Sequence, residues 1–259
     1  MIYHWKTLTS PRLAAIAHGD PVAIITLGAI EQHGTHLPLG TDLIIGEGLQ
    51  TAMLSMINPS IDVLCLPAIA VGASDEHAGF AGTLSLPAPL AIATLEAYGG
   101  SIARSGIKKL VLINSHGGNK AVMDLAALTL RQRYAMRVVK ATYTRLPALE
   151  GAIDAAELRY GLHGGLLETA MMHYLAPSLV TLDGYQPTPP ATPENGTLVS
   201  PEGSAAFAWL AEDLSAQGVA GDATGASASL GERLVKHYAA QLAQVVAETA
   251  RLPPLSVSR

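Results

Sequence analysis

Four short runs constrain this chain more than anything else in it. Val22–Leu27, Val63–Val71, Leu110–Ile113 and Val138–Tyr143 are rich in β-branched and apolar residues and almost free of polar alternation. A strand with one face in water alternates. A strand that does not alternate is covered on both faces, as in a parallel sheet with helices packed above and below. Between the runs lie Ala/Leu-rich segments of helical character. Helices are expected from about Asp42 to Met56, Pro89 to Ser105, Lys120 to Tyr134, Leu166 to Leu175, Glu202 to Leu214 and Gly231 to Arg251. Gly106 is placed to end one of them before the third run. The alternating order predicts one layered α/β domain across residues 1–259.

The stretch from Asp183 to Ser204 breaks this pattern. Pro187, Pro189, Pro190, Pro193 and Pro201 argue against regular structure there. Loops of this length are lids, binding loops or intersubunit arms, or else plain flexible connectors.

Composition narrows the function. Only 14% of the 259 residues are charged and 49% are hydrophobic, against about 25% charged in an ordinary domain. Apolar surface beyond a monomer's needs is buried between subunits, so a homo-oligomer is expected. Sixteen basic against 21 acidic residues, with no basic run, argue against a nucleic-acid partner. Cys65 is the one cysteine, which excludes an internal disulfide or a thiolate metal cluster; within Val63-Leu64-Cys65-Leu66 it reads as an inert buried thiol. Met1–Lys6 lacks a secretory pattern and no run of about 18 apolar residues occurs, so the expectation is a cytoplasmic protein with no membrane partner.

Polar residues gather just after the runs, where open α/β sheets form their binding crevice. The first run leads into Gly28-Ala29-Ile30-Glu31-Gln32-His33-Gly34-Thr35-His36-Leu37-Pro38. The second leads into Gly72-Ala73-Ser74-Asp75-Glu76-His77-Ala78-Gly79-Phe80, and the third into Asn114-Ser115-His116-Gly117-Gly118-Asn119. On extended backbone Glu31 and His33 point the same way, and a carboxylate with an imidazole suits Zn, Mn or Fe. Asp42, at the start of a helix, is either a simple cap or a carboxylate able to bridge two ions. His116 is a loop histidine or a further ligand, with Asn114 and Asn119 to fix it. In His163-Gly164-Gly165-Leu166-Leu167-Glu168, the apolar surroundings leave Glu168 protonated or facing a cation, and a metal ion is the economical one. His163 suits proton transfer. Ser74 lacks the glycine of a nucleophile elbow and reads as a substrate contact. Phosphate-loop, dinucleotide and His-Glu-x-x-His motifs are absent.

Together these segments, with Thr41-Asp42, Glu76–Ser85 and Gly221-Asp222-Ala223-Thr224, resemble the creatininase (creatinine amidohydrolase) family in order and over most of the chain. The resemblance implies a three-layer α/β/α fold with a mainly parallel sheet, usually a homohexamer, holding two divalent ions (Zn, Mn or Fe) that hydrolyse C–N bonds of small cyclic amides. It implies Glu31 and His116 on one ion, His33 on the other, Asp42 as the bridge, His163 as the proton shuttle and Ser74 on the substrate side. Creatininase proper has a Tyr-Glu pair where this chain has Gly117-Gly118, so the missing carboxylate ligand is assigned to Glu168. The tryptophans that shape the creatinine pocket lack counterparts near Tyr160 and His163, which directs the expectation to another cyclic amide or a formamide. Alternatives are a keto-sugar ring hydrolase, a cofactor-maturation peptidase, or a binding protein that keeps its metals as structure.

Overall fold

The computed structural model describes residues 1–183, 185–193, 197–253 and 255. Strands β1 (Ile2–His4), β2 (Val22–Leu27), β3 (Val63–Cys65), β4 (Lys109–Asn114) and β5 (Arg137–Thr142) form one parallel sheet in the order β1-β3-β2-β4-β5. The apolar side chains of β2, β3 and β4 divide between two cores. Val22, Ile24, Val63, Cys65, Val111 and Ile113 pack against α2 (Thr41–Leu54), α6 (Leu166–Leu175) and α8 (Ala228–Arg251). Ala23, Ile25, Leu27, Leu64, Leu110 and Leu112 pack against α1 (Ser10–Ala17), α3 (Ala88–Arg104) and α4 (Asn119–Tyr134). Successive residues alternate between the cores, and both cores are apolar, so the strand sequence shows no alternation of its own. Each fully buried Val, Leu or Ile contributes about 1.5–3 kcal/mol.

Strand β2 sits at the centre, with β3 on one side and β4 on the other. Its carboxyl end is therefore where the strand order reverses, and the crevice of a doubly wound sheet opens there. Cys65 is buried, and burial alone raises its thiol pKa to about 11.

Several sequence expectations need correction. The expected strand Val63–Val71 stops at Cys65, because Pro67 has no N–H for a ladder; the chain touches the sheet again only where Ile69 bridges Leu27. The helix expected from Glu202 is α7, Ala211–Leu214. Gly203 takes φ +127°, outside the helical range, and β7 (Ala205–Ala206) pairs with β6 (Val199–Ser200) instead. Strand β1, helix α1 and the short α5 (Ala155–Tyr160) were not foreseen. Among the described residues no helix is long and apolar enough to cross a membrane.

The Pro-rich stretch is irregular, apart from Val199–Ser200, where it is described; Gly184 and residues 194–196 lie outside the described residues. Its first half is fastened down. Tyr185 is buried, its hydroxyl donating to the Gly221 carbonyl (3.3 Å) and accepting from Ala223 N–H (3.0 Å). Ala191 N–H reaches the Tyr160 carbonyl at 2.9 Å.

Helices α6 and α8 cross so closely that a Cβ on Gly231 would lie 1.9 Å from the Ala170 carbonyl oxygen. Backbone cannot yield as a side chain does. Gly231→Ala is expected to destabilise the fold by about 1–3 kcal/mol through overpacking. Urea unfolding measures this, and an unshifted midpoint would show that the helices separate freely.

Candidate metal centre

Two asparagines lace together the loops that leave β2, β3 and β4. Asn119 Nδ2 donates to the Gly28 carbonyl at 3.0 Å, and its Oδ1 accepts from Ala73 N–H at 3.1 Å. Asn114 holds both backbone groups of His116, donating to its carbonyl (2.7 Å) and accepting from its N–H (3.2 Å). A fourth segment closes the ring: His163 and Ala220 exchange backbone hydrogen bonds at 3.1 and 2.9 Å. Gly34 and Gly164, at φ +68° and +66°, both turn against Val219, where a Cβ on either would meet its Cγ1 at 2.8 Å.

Inside this ring Glu31, His33, Asp42, His116 and His163 are all buried. Each of the three imidazoles donates one N–H to a backbone carbonyl. His33 Nδ1 reaches Glu31 O at 3.1 Å, His116 Nε2 reaches Ala73 O at 2.8 Å, and His163 Nε2 reaches Gln32 O at 2.6 Å. A carbonyl only accepts, so the other nitrogen of each neutral ring presents a lone pair. Those lone pairs face carboxylates. His33 Nε2 lies 3.8 Å from Asp42 Oδ1 and 4.0 Å from Glu168 Oε2. His116 Nδ1 lies 3.2 Å from Glu31 Oε1 and 3.3 Å from Asp42 Oδ2. His163 Nδ1 lies 3.7 Å from Glu31 Oε1. Lone pairs opposed to anions require positive charge between them.

The buried atoms Glu31 Oε1 and Oε2, His33 Nε2 and Asp42 Oδ2 have no hydrogen-bond partner. Such orphaned groups are costly unless a cation completes them. The donors form three overlapping sets, each with its atoms within 4.8 Å of one another: Glu31/Asp42/His116, His33/Asp42/Glu168 and Glu31/His33/His163. Carboxylate and imidazole donors at this spacing fit a divalent first-row metal. The first two sets share Asp42, with a different oxygen turned to each histidine.

The electrostatics agree. Burial opposes charge on His33, yet Asp42 beside it wins and raises its pKa to about 9. His116 is likewise raised despite burial, by Glu31 and Asp42. Burial pushes Asp42 and Glu31 up, and the histidines beside them reverse the shift and hold both carboxyls low. Burial raises Glu168 to about 7. His163 moves the other way: burial first, then the charges of His33 and His77, keep it neutral.

Every site residue expected from the sequence converges here. Ser74 Oγ lies 3.3 Å from His116 Nε2 and is fully buried. His36, part of the same motif, stays outside the centre and donates to the Gly164 carbonyl at 2.8 Å. His77 was given no role by sequence reasoning, but it belongs to the cluster. Gln32 has its amide fixed, with Oε1 accepting from Gly34 N–H (2.9 Å) and Nε2 donating to the Gly218 carbonyl (2.6 Å) and to His77 Nδ1 (2.9 Å). His77 Nε2 therefore carries its proton, 3.5 Å from Glu31 Oε1. The signal was its place beside Glu76 in the second cluster; the Gln32 contact that fixes its tautomer is not visible in spacing. Trp209, from the segment before α7, packs edge-on to His77 with centroids 6.4 Å apart.

Gly118 leaves no room for a side chain beside His116. A Cβ there would lie 2.2 Å from the Ala73 carbonyl oxygen and 2.5 Å from His116 Nε2. No ligand side chain can project from that position, whereas Glu168 reaches the centre from the first turn of α6.

Comparison with known proteins agrees with this geometry. The family model for creatininase, described as creatinine amidohydrolase, matches residues 6–246. Creatinine amidohydrolase of Pseudomonas putida is 33% identical over 195 residues, 69% of this chain and 74% of that protein. The mycofactocin precursor peptide peptidase of Mycolicibacterium smegmatis is 30% identical over 230 residues, 88% of this chain and 84% of that one. The solved structure titled "Creatininase Mn" superposes with a TM-score of 0.78 at 27% identity, covering 97% of this chain and all of that one (100%). This α/β chain, with its metal-binding residue groups at the strand ends, is a hydrolase of the creatininase family.

Proposed function

We propose that the protein hydrolyses a C–N bond of a small cyclic amide or formamide at a centre of two divalent ions bridged by Asp42. The observation that carries this reading is the sharing of Asp42 between two donor sets whose atoms are otherwise orphaned. In it, Glu31 and His116 complete one site, and His33 and Glu168 the other. Bound there, divalent ions supply Lewis-acid polarisation of a carbonyl and a lowered pKa for a water. Zn, Mn or Fe suits these donors, and the likeness to manganese and zinc forms of creatininase supports the first two.

The chain's own residues do the rest. His163 keeps its Nε2 proton on the Gln32 carbonyl, so Nδ1, 3.7 Å from Glu31 Oε1, is the nitrogen that takes a proton from the attacking water. It then returns that proton to the leaving nitrogen. Neutral His163 is ready to accept because burial and its neighbours keep it unprotonated. His77, with its proton held at Nε2 by Gln32, sets that nitrogen 3.5 Å from Glu31 Oε1. Ser74, beside His116, is the substrate-side hydroxyl in this reading. The low charge content supports a homo-oligomer, a hexamer by family likeness, acting in the cytoplasm on a small molecule.

A second reading, cleavage of a peptide amide, draws on the relative that processes a precursor peptide and aligns with 88% of this chain. A panel of formamides, lactams, creatinine and short peptides, run with manganese-loaded protein, separates the two. Turnover of peptides alone would replace the first reading with the second.

Asp42→Ala should remove both ions; elemental analysis that still finds a full metal complement would reject the bridge. His163→Asn should keep the metals and lose about 10²–10⁴-fold in kcat. Unchanged kcat would strip His163 of its role.

A further inference from the structure

Glu157 is a buried carboxylate that the proposed reaction does not use. It lies on α5, with 8% of its surface exposed. Its Oε1 accepts the Leu166 N–H at 2.9 Å and its Oε2 the Asp222 N–H at 3.1 Å. The charged groups that act on it, Asp222 and Asp154, are themselves negative, and among the described residues it has no ion-pair partner. Space has been cleared for it by three glycines, two from the α5–α6 connection and one from before Asp222. A Cβ on Gly161, Gly165 or Gly221 would lie 2.6, 2.3 or 2.7 Å from its Oε1.

Leu166 is the first residue of α6, and Gly165 before it has no side chain with which to cap the helix. The first N–H groups of a helix need outside acceptors, and an anion there is favoured by the helix dipole. The carboxylate on the first turn of α6 is Glu168. Its Oε2 accepts from Gly164 N–H at 2.7 Å while facing His33 Nε2 at 4.0 Å. By holding Leu166 N–H, Glu157 anchors the start of the helix that carries Glu168, and so the direction in which Glu168 faces His33.

We propose that Glu157 is a positioning residue of the metal centre: by capping α6 from outside, it keeps Glu168 facing His33 and Asp42 and so secures one of the two ions. The inference rests on the two-ion reading above. It also gives a use to Gly221-Asp222, which supplies the second backbone donor and the third glycine.

Calorimetric titration of metal-stripped protein with Mn²⁺ tests it. Wild type should take two ions per chain, and His33→Ala marks which step belongs to the His33/Asp42/Glu168 set. In Glu157→Ala that step should weaken about 10–100-fold, while the Glu31/Asp42/His116 step stays within about twofold of wild type. Glu157→Gln keeps the shape but offers one acceptor for two N–H groups, and should fall between. It serves as the test variant should the alanine form not fold. Two unchanged steps overturn the inference. So does equal weakening of both, which reports loss of structure and not loss of position. A wild-type chain that takes a single ion removes the two-ion reading itself, a separate failure seen before any variant is compared.

Discussion

Carboxylates that do not repel each other apart are the condition on which this molecule is built. Glu31 and Asp42 bring oxygens within 4.8 Å of one another, and so do Asp42 and Glu168. At an effective dielectric of about 20, two unit charges at that separation repel by about 3–4 kcal/mol. A domain's whole stability is about 5–15 kcal/mol. Two such repulsions consume much of that margin, and the orphaned oxygens add to it. Cations, whether protons on His33 and His116 or metal ions, remove the repulsion.

The parallel sheet makes this concentration of charge possible. All strands of the sheet run the same way, so β2, β3 and β4 deliver their following loops to one edge. The two apolar cores beneath that edge fix the strands without any polar contact. Rigidity then passes upward through backbone hydrogen bonds to Asn114 and Asn119, which set the height and direction of the His116 loop against the loops carrying Glu31 and Ser74. Three of the chain's 21 acidic residues, Glu31, Asp42 and Glu168, meet here. The polar groups are few, and many of them serve this edge.

The sheet was legible in the sequence because burial on both faces writes itself as missing alternation, and β2 was read to the residue. The candidate donors Glu31, His33 and His116 were legible because they stand just past the ends of apolar strand runs. Other features were hidden for physical reasons. Edge strand β1 has three residues and half-exposed side chains, so it carries no burial pattern. The helical reading of 202–214 followed composition, which contains no trace of the β6–β7 pairing or of Gly203's positive φ. The roles of His77 and Glu157 depend on hydrogen-bond partners far along the chain. Gln32 fixes His77 from 45 residues away, and Asp222 meets Glu157 across 65. Spacing along a sequence cannot encode such contacts.

Four histidines in one cluster divide into two kinds by their surroundings. His33 and His116 each turn a lone pair to carboxylates that draw cations to them, and both have raised proton affinity. His163 lies between His33 and His77, its ring centroid 4.1 Å from each, so any positive charge on His33 disfavours a second one on His163. His77 is lowered to about 4, mainly by burial. Environments that push the proton affinities of neighbouring groups apart separate the binder of charge from the carrier of protons. Backbone carbonyls complete the assignment: by taking the N–H of His33, His116 and His163 at one nitrogen each, they decide which nitrogen is left to work, and they do so before any ligand arrives.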